Sequence, residues 1–482
     1  MKSSSRIAIA WLLMGGVVAA STGCGEPDPI DPPVDAGRDS GGDLPDAETP
    51  DAQTPDAETP DAQTPDGGTE PTYCPTLPTA GAPPTCPATP TEITVTGDIT
   101  GTTWSCDNVY RLTGNVFVTS GTLTISAGTR IIADDAGALI VTPGARIDAQ
   151  GHPSAPIVFT SSRAVGDRAR GDWGGIVLLG DAPINVTGGT DNIEGIEASE
   201  TRGVYGGTDA AHDCGTMRYV RIEFAGRVLG TDNELNGLTL GGCGSATEIE
   251  MVQMHRGLDD AFEMFGGSPA LRFVVASGMD DDGLDWDQGY VGSIQFAILH
   301  RYADSGSSDP NGIEADNLNA NNDATPRSNP TVFNLTVLTT DTTRANQVGM
   351  VLRRGTYGSL GNVLVQGFPL GVDVRDAAGE AAAGDELSLE NSIFFMNTAD
   401  ATAASPEATA FMAAAAMNRF GTDPMLTSTS ESTPNYVPAA GSPVLTGAAT
   451  PPAALDTAVE YVGALAPGCP DWTAGWTAYP VE

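Results

Sequence analysis

The 482 residues carry 62 acidic against 22 basic side chains, a formal net charge of −40. Such a chain excludes nucleic acid as a partner, since a phosphate backbone is met by basic patches, and it argues against adsorption to an anionic leaflet. About 400 residues follow the N-terminal segments, long for one ordinary domain but common for a repeat architecture.

Lys2 and Arg6 precede an apolar run over residues 7–20, and then comes Ser21-Thr22-Gly23-Cys24. This reads as an export signal, and the run is short for a membrane span. The small residues before Cys24 resemble a bacterial lipobox, which implies a signal peptide over residues 1–23 and a lipid on the Cys24 sulfur. Ser21 stands where such motifs usually carry Leu, so ordinary secretion by cleavage near the same place is the alternative. Residues 24–72 are dominated by Pro, Asp, Ala and Thr, with P-D-A-[EQ]-T repeating from Pro45 to Thr64. A segment with no apolar surface to bury and a high like charge is expected to form an extended acidic stalk. The expected place is a bacterial cell envelope, at the outer membrane or cell surface, with the membrane reached through the lipid.

From about Glu92 short strand-like runs alternate with glycine turns, as between Gly121 and Gly151. From Leu238 onward the lines repeat. Ile249 falls over Leu271 and Ile294, Val252 over Val274 and Ala297, and His255 over Ser277 and His300, at intervals of 22 and 23 residues. Leu238, Phe262, Leu284, Ile313 and Met350 form another column, followed two positions later by Leu240, Met264, Trp286, Ala315 and Leu352. Apolar residues two apart lie on one face of a strand, so these columns are expected to point inward, Trp286 among them as core. The period is too short for a helix pair and the Leu/Asn consensus of a leucine-rich repeat is absent. The predicted fold is therefore all-β, a single-stranded parallel β-helix over residues 73–400 with an N-terminal cap, and a helix and aromatic cap over 401–482.

Several stretches strengthen that reading. Gly171 to Gly180 (G-D-W-G-G-I-V-L-L-G), Met217 to Gly226, Glu234 to Gly241, Val351 to Thr356 and Asp471 to Trp476 resemble a widespread family of exported bacterial proteins, many of them lipoproteins. The resemblance implies a right-handed parallel β-helix and export. It implies no particular activity.

Residues between the inward pairs must point outward. That column holds Thr239, Glu263, Asp285 and Glu314, and the next holds Asp287, Asp316 and Arg353. Asp259 and Asp260 align with Asp281 and Asp282 at the preceding corner. Carboxylates on adjacent coils, roughly 4.8 Å apart, repel unless a cation, arginines, shared protons or solvent intervenes. Asp259, Asp260, Glu263, Asp281, Asp282, Asp285, Asp287, Glu314 and Asp316 are thus candidate calcium ligands, hard oxygens without the soft donors that zinc or copper prefers. The plain alternative is that Arg256, Arg301, Arg353 and Arg354 neutralise this face as solvated ion pairs. The third is catalysis, with Asp259, Asp260, Asp282 and Asp285 as general acid and base on a polysaccharide, and His255 or Arg301 holding a uronate. The Gly-His-Gly and Arg-Ile-Lys signature of pectin hydrolases is missing. His255 and His300 otherwise read as corner histidines bonded to neighbouring carbonyls. The Gly241–Gly244 run lacks a nucleotide fingerprint, and no organic cofactor is expected. Expected partners are a glycan or another envelope protein.

Besides Cys24 there are Cys74, Cys86, Cys106, Cys214, Cys243 and Cys469, an even set in an exported chain and hence expected as disulfides. Fifteen pairings are possible. Proximity favours Cys74 with Cys86, one coil of separation favours Cys214 with Cys243, and Cys106 is then left for Cys469. Ala408 to Phe420 reads as a helix stopped by Gly421. Trp472, Trp476 and Tyr479 are expected to seal the C-terminal end or lie along the side, with a sugar platform as the alternative.

Overall fold

The computed structural model describes residues 72–482 apart from Ala198, Thr231, Asp232, Thr342, Ala403 and Ala404. The expected signal peptide, the expected lipidation site at Cys24 and the expected stalk up to residue 71 lie outside the described residues.

The repeating columns become stacked coils of a parallel β-helix, and among the described residues the strands of the large sheet pair in parallel. One wall, here called the long wall, stacks Gly215–Glu223, Glu248–His255, Ala270–Ser277, Ser293–Arg301 and Thr331–Thr339. Ile249, Leu271, Ile294 and Val332 occupy one register position on successive coils, each at most 1% exposed. The short wall stacks Gly175–Leu179, Leu238–Gly241, Phe262–Phe265, Leu284–Asp287, Asn311–Ala315 and Val348–Leu352. Leu238, Phe262, Leu284, Ile313 and Met350 are in register as the spacing requires. Trp286 is fully buried in the interior, its Nε1 donating to Thr356 Oγ1 at 3.1 Å.

Between Leu179 and Gly215 the chain leaves the coil. This excursion lays Ile184, Ile193, Ile196 and Tyr205 over the outward side chains of Val177, Leu179 and Phe265, so part of the short wall is roofed rather than wet. The chain rejoins at Gly215, where φ is +123° and an added Cβ would stand 1.8 Å from Ile147 O, so the return requires glycine.

The last residues form a strap along the outside of the long wall. Tyr219, Met251, Phe273 and Phe296 have φ between 51° and 61°, as do Asn334, Asn362 and Asn391 on later coils. Left-handed backbone is costly for bulky residues, and packing against the strap offsets it: Phe273 and Phe296 stack at 4.6 Å, Phe273 meets Trp472, and Tyr219 meets Trp476. Side-chain amides bind the strap's backbone. Gln253 makes two 2.9 Å bonds with Ala478, Gln295 pairs with Asp456, Asn334 Nδ2 donates to Tyr461 O, and Asn362 pairs with Ala449. Trp472 and Trp476 are 3% and 1% exposed, so they lie along the side as core and cannot serve as a sugar platform.

The disulfides correct two expected pairings. Cys214–Cys243 forms across one coil as the spacing suggested, but Cys74 joins Cys469, and Cys86 joins Cys106. Proximity in sequence misled because residues 73–78 run beside the strap, where Tyr73 OH donates to Pro467 O and Thr76 N to Asp456. The expected helix is also shorter. It spans Pro406–Phe411, capped by Ser405, then gives way to a 3-10 turn and Met417 in the left-handed region. Arg419 and Gly421 donate instead to Ser392 O and Phe394 O, because the sheet ladder captures the stretch before Gly421 can end a helix. A second helix, Asp376–Ala382, stands where no helix was expected; the Asp376 carboxylate accepts from Ala378 N and Gly379 N.

Candidate metal centre

The outward column of acids is real. Thr239, Glu263, Asp285 and Glu314 are register partners on four successive coils. The corner before it is a second column, Asn236, Asp260, Asp282 and Asn311, two residues ahead of the inward Leu238, Phe262, Leu284 and Ile313. Its members brace one another. Asp260 Oδ1 accepts from Asp282 N at 2.7 Å, Asp282 Oδ1 from Asn311 N at 2.6 Å, and Asn311 Oδ1 from Val348 N at 3.2 Å. Two carboxylates therefore stand between two amides.

These columns converge into three overlapping triads. One oxygen from each of Asp259, Asp260 and Asp281 lies within 4.8 Å of the others, and the same holds for Asp260, Glu263 and Asp285, and for Asp282, Asp285 and Glu314. Asp260 and Glu263 are each 7% exposed and Asp282 is 3% exposed, so bulk water does little of the screening. At that separation a pair of bare carboxylates repels by about 3.5 kcal/mol at an effective dielectric near 20.

Burial first, and the neighbouring acids second, push these groups up. Burial and Asp281 raise Asp259 to about 8, and burial and Asp316 raise Asp287 to about 7. Asp260, Glu263, Asp282 and Asp285 are held well above the ordinary carboxylate range by burial and by each other's charge, and Asp281 is raised by burial. Glu314 rises to about 7 through burial, although Arg353 opposes the shift.

The arginines do not neutralise the face evenly. Arg353 pairs with Glu314 and, at 2.9 Å, with Asp316, which Arg354 also contacts. Arg256 is turned away to Asp304 at 2.7 Å. Arg301 is 1% exposed and is no solvated ion pair. It donates to the carbonyls of Asp280, Asp281 and Asn311 and to Ser305, bracing the acidic corner from behind. Among the described residues, none of the ion pairs reaches Asp260, Glu263 or Asp285. Asp285 Oδ1 is buried without a hydrogen-bond partner. The uncompensated charge is thus concentrated at the Asp260–Glu263–Asp285 triad, while Asp287 and Asp316 stand one step along the wall, Asp316 already held by arginine.

Sequence reasoning missed three members. Glu194 reaches Glu263 from the excursion and is pushed up to about 7, mainly by burial. Asn236 donates through Nδ2 to Glu263 Oε2 and, at 3.4 Å, to Thr239 Oγ1. Asn236 and Asn311 could have been found by extending the alignment that located Asp260 and Asp282; Glu194 lies in a non-repeating loop and left no periodic trace. His255 and His300 stand on the long wall beneath the strap, bonded to Ser277 and Pro480 O, and to the Tyr436 hydroxyl. They are away from the acid column, and so are not paired with it as acid, base or ligand.

A family model described as a pectate-lyase-like β-helix domain matches residues 96–477. No curated protein and no solved structure gives a match. With the stacked parallel coils and the extent of that match, the chain belongs to the pectate-lyase-like β-helix domain family.

Proposed function

We propose that this protein is a lipid-anchored, non-catalytic module of a bacterial cell envelope, whose outer acidic wall holds calcium and presents it to a glycan or to another envelope protein. The observation that carries the calcium assignment is the Asp260–Glu263–Asp285 triad, three carboxylates within 4.8 Å of one another that no ion pair reaches among the described residues. Hard oxygen donors on neighbouring coils, without histidine or thiolate, match the flexible shell that calcium accepts. Anchoring rests on Cys24 and the residues before it, and the acidic repeat would serve as a spacer between membrane and coil.

The family description favours a polysaccharide as the ligand, and it also supports a second reading: cleavage of that polysaccharide by Asp259, Asp260, Asp282 and Asp285. Asp259, raised to about 8, retains a proton near neutral pH and could donate it. The two readings separate in one experiment. At pH 7.5, calcium added to chelated protein should raise the melting temperature, a saturating ligand at a hundredfold its dissociation constant contributing about 2.7 kcal/mol. No reducing ends or unsaturated uronates should appear from a polysaccharide panel. Turnover abolished by Asp282→Asn would establish the enzyme instead, and an unmoved melting temperature in calcium and in EDTA would remove the metal.

A further inference from the structure

The outer side of the long wall buries two titratable groups that the acidic wall does not use. His255 and His300 are each fully buried under the residues beyond Cys469 and under the hairpin Leu426–Ser428/Asn435–Pro438. His255 Nε2 bonds Pro480 O at 2.8 Å and its Nδ1 meets Ser277 Oγ at 2.9 Å. His300 Nδ1 meets the Tyr436 hydroxyl at 2.9 Å, and its Nε2 is buried with no partner. Tyr436 and Tyr479 are hydrogen-bonded to each other, so hairpin and strap close over the pair as one cover.

We propose that residues 470–482, with the Tyr436 hairpin, form a lid that acid opens: protonation of His255 and His300 releases Pro480, Tyr479 and Tyr436 and widens the cleft beside Arg256. That cleft, of about 400 Å³, is lined by Arg168, Arg170, Arg256 and Asp304, with Val481 of the lid at its edge. The Cys74–Cys469 disulfide stands just before the movable residues, so it tethers the lid while leaving it free to lift.

The surroundings of both rings oppose a second proton. Around His255 stand Arg256, Arg170 and Arg221, the rings of Phe224, Tyr302 and Tyr479, and Gln253, which bonds Ser277. Glu223 is its register neighbour but is held by Arg221 at 3.0 Å. Around His300 stand His255, Tyr302, Tyr436 and the adjoining Arg301. The carboxylates of the packed segments are engaged elsewhere: Glu431 with Ala303 N, Asp304 with Arg170 and Arg256, and Asp471 with Thr473. Burial lowers both histidines to about 3; at His255 the Pro480 carbonyl opposes the shift while Arg256, Arg170 and Arg221 add to it, and at His300 the neighbouring His255 adds to it. An open lid would return them to roughly 6.5. A group depressed in the closed state supports closure above its open-state value and loses that support as pH falls, so each histidine multiplies the opening constant by about ten between pH 7.5 and 5.5.

The acidic wall responds in the opposite sense, its raised carboxylates being satisfied by protons, which separates local opening from general acid unfolding. Hydrogen exchange on the full chain at pH 7.5 and 5.5, corrected for intrinsic rates, tests the lid. Protection of residues 476–479, including the Ala478 amide on Gln253, should fall at least tenfold, and about a hundredfold if the hairpin lifts with them. Val274 and Val337, deep in the coil, should keep theirs, and the double variant His255→Gln, His300→Asn should show no pH dependence in the lid. Unchanged protection of residues 476–479 in the natural chain would overturn the proposal. So would a loss shared equally by Val274 and Val337, or one that persists in the double variant.

Discussion

With divalent cations chelated and the two buried histidines removed by the double variant His255→Gln, His300→Asn, the melting temperature should fall as pH rises from 5 to 8.5. The raised carboxylates bind protons more tightly folded than unfolded, so their contribution is fully present below the unfolded value near 4 and is lost as pH passes the folded values, about 7 for Asp287 and about 8 for Asp259. Allowing for partial solvent screening, two such groups together represent on the order of 5 kcal/mol, or roughly 6 °C for a folded part of this size. Calcium should flatten the profile, because an ion substitutes for the protons and its effect grows with pH. A melting temperature that climbs with pH in EDTA would show that the wall is not self-repelling, and thermal scans in matched buffers decide it.

The second large effect is Arg301→Met. The apolar stem is kept, but the carbonyls of Asp280, Asp281 and Asn311 lose their buried donor and Asp282 loses a nearby positive charge. Removing one partner from a buried charged arrangement typically costs about 3–5 kcal/mol, and the corner that sets Asp281 and Asp282 should loosen with it. Chemical denaturation should therefore show a lower midpoint, with calcium affinity reduced as well. Arg354→Met, at a more open ion pair with Asp316, should cost roughly 1 kcal/mol or less, and equal losses for the two would contradict the distinction.

Periodic features of the molecule were open to reading from the chain alone. Ile249, Leu271 and Ile294 report the long wall, Phe262, Leu284 and Ile313 the short wall, and Glu263, Asp285 and Glu314 the acids between inward neighbours, because a strand's alternation and a coil's repeat are both written locally. The Cys214–Cys243 bridge followed from the same spacing. Coverage of those walls was not readable. Glu194 arrives from an excursion with no repeat of its own, and the strap's course depends on amides such as Gln253 and Gln295 that look like ordinary outward polar residues until a backbone lies against them. The Cys74–Cys469 bridge was hidden for the same reason, since it joins two segments outside the repeating coils. The helix at Pro406 ended early because hydrogen bonds to a neighbouring coil outweighed the helix propensity of an alanine run.

Calcium uptake measured by equilibrium dialysis at pH 7.5 tests the acidic wall most directly, comparing the natural chain with the double variant Glu263→Gln, Asp285→Asn. Saturable binding of at least one ion per chain, with protons released as the carboxylates are occupied and binding lost in the double variant, is the expected result. An absence of saturable uptake, or equal uptake by both proteins, would contradict it.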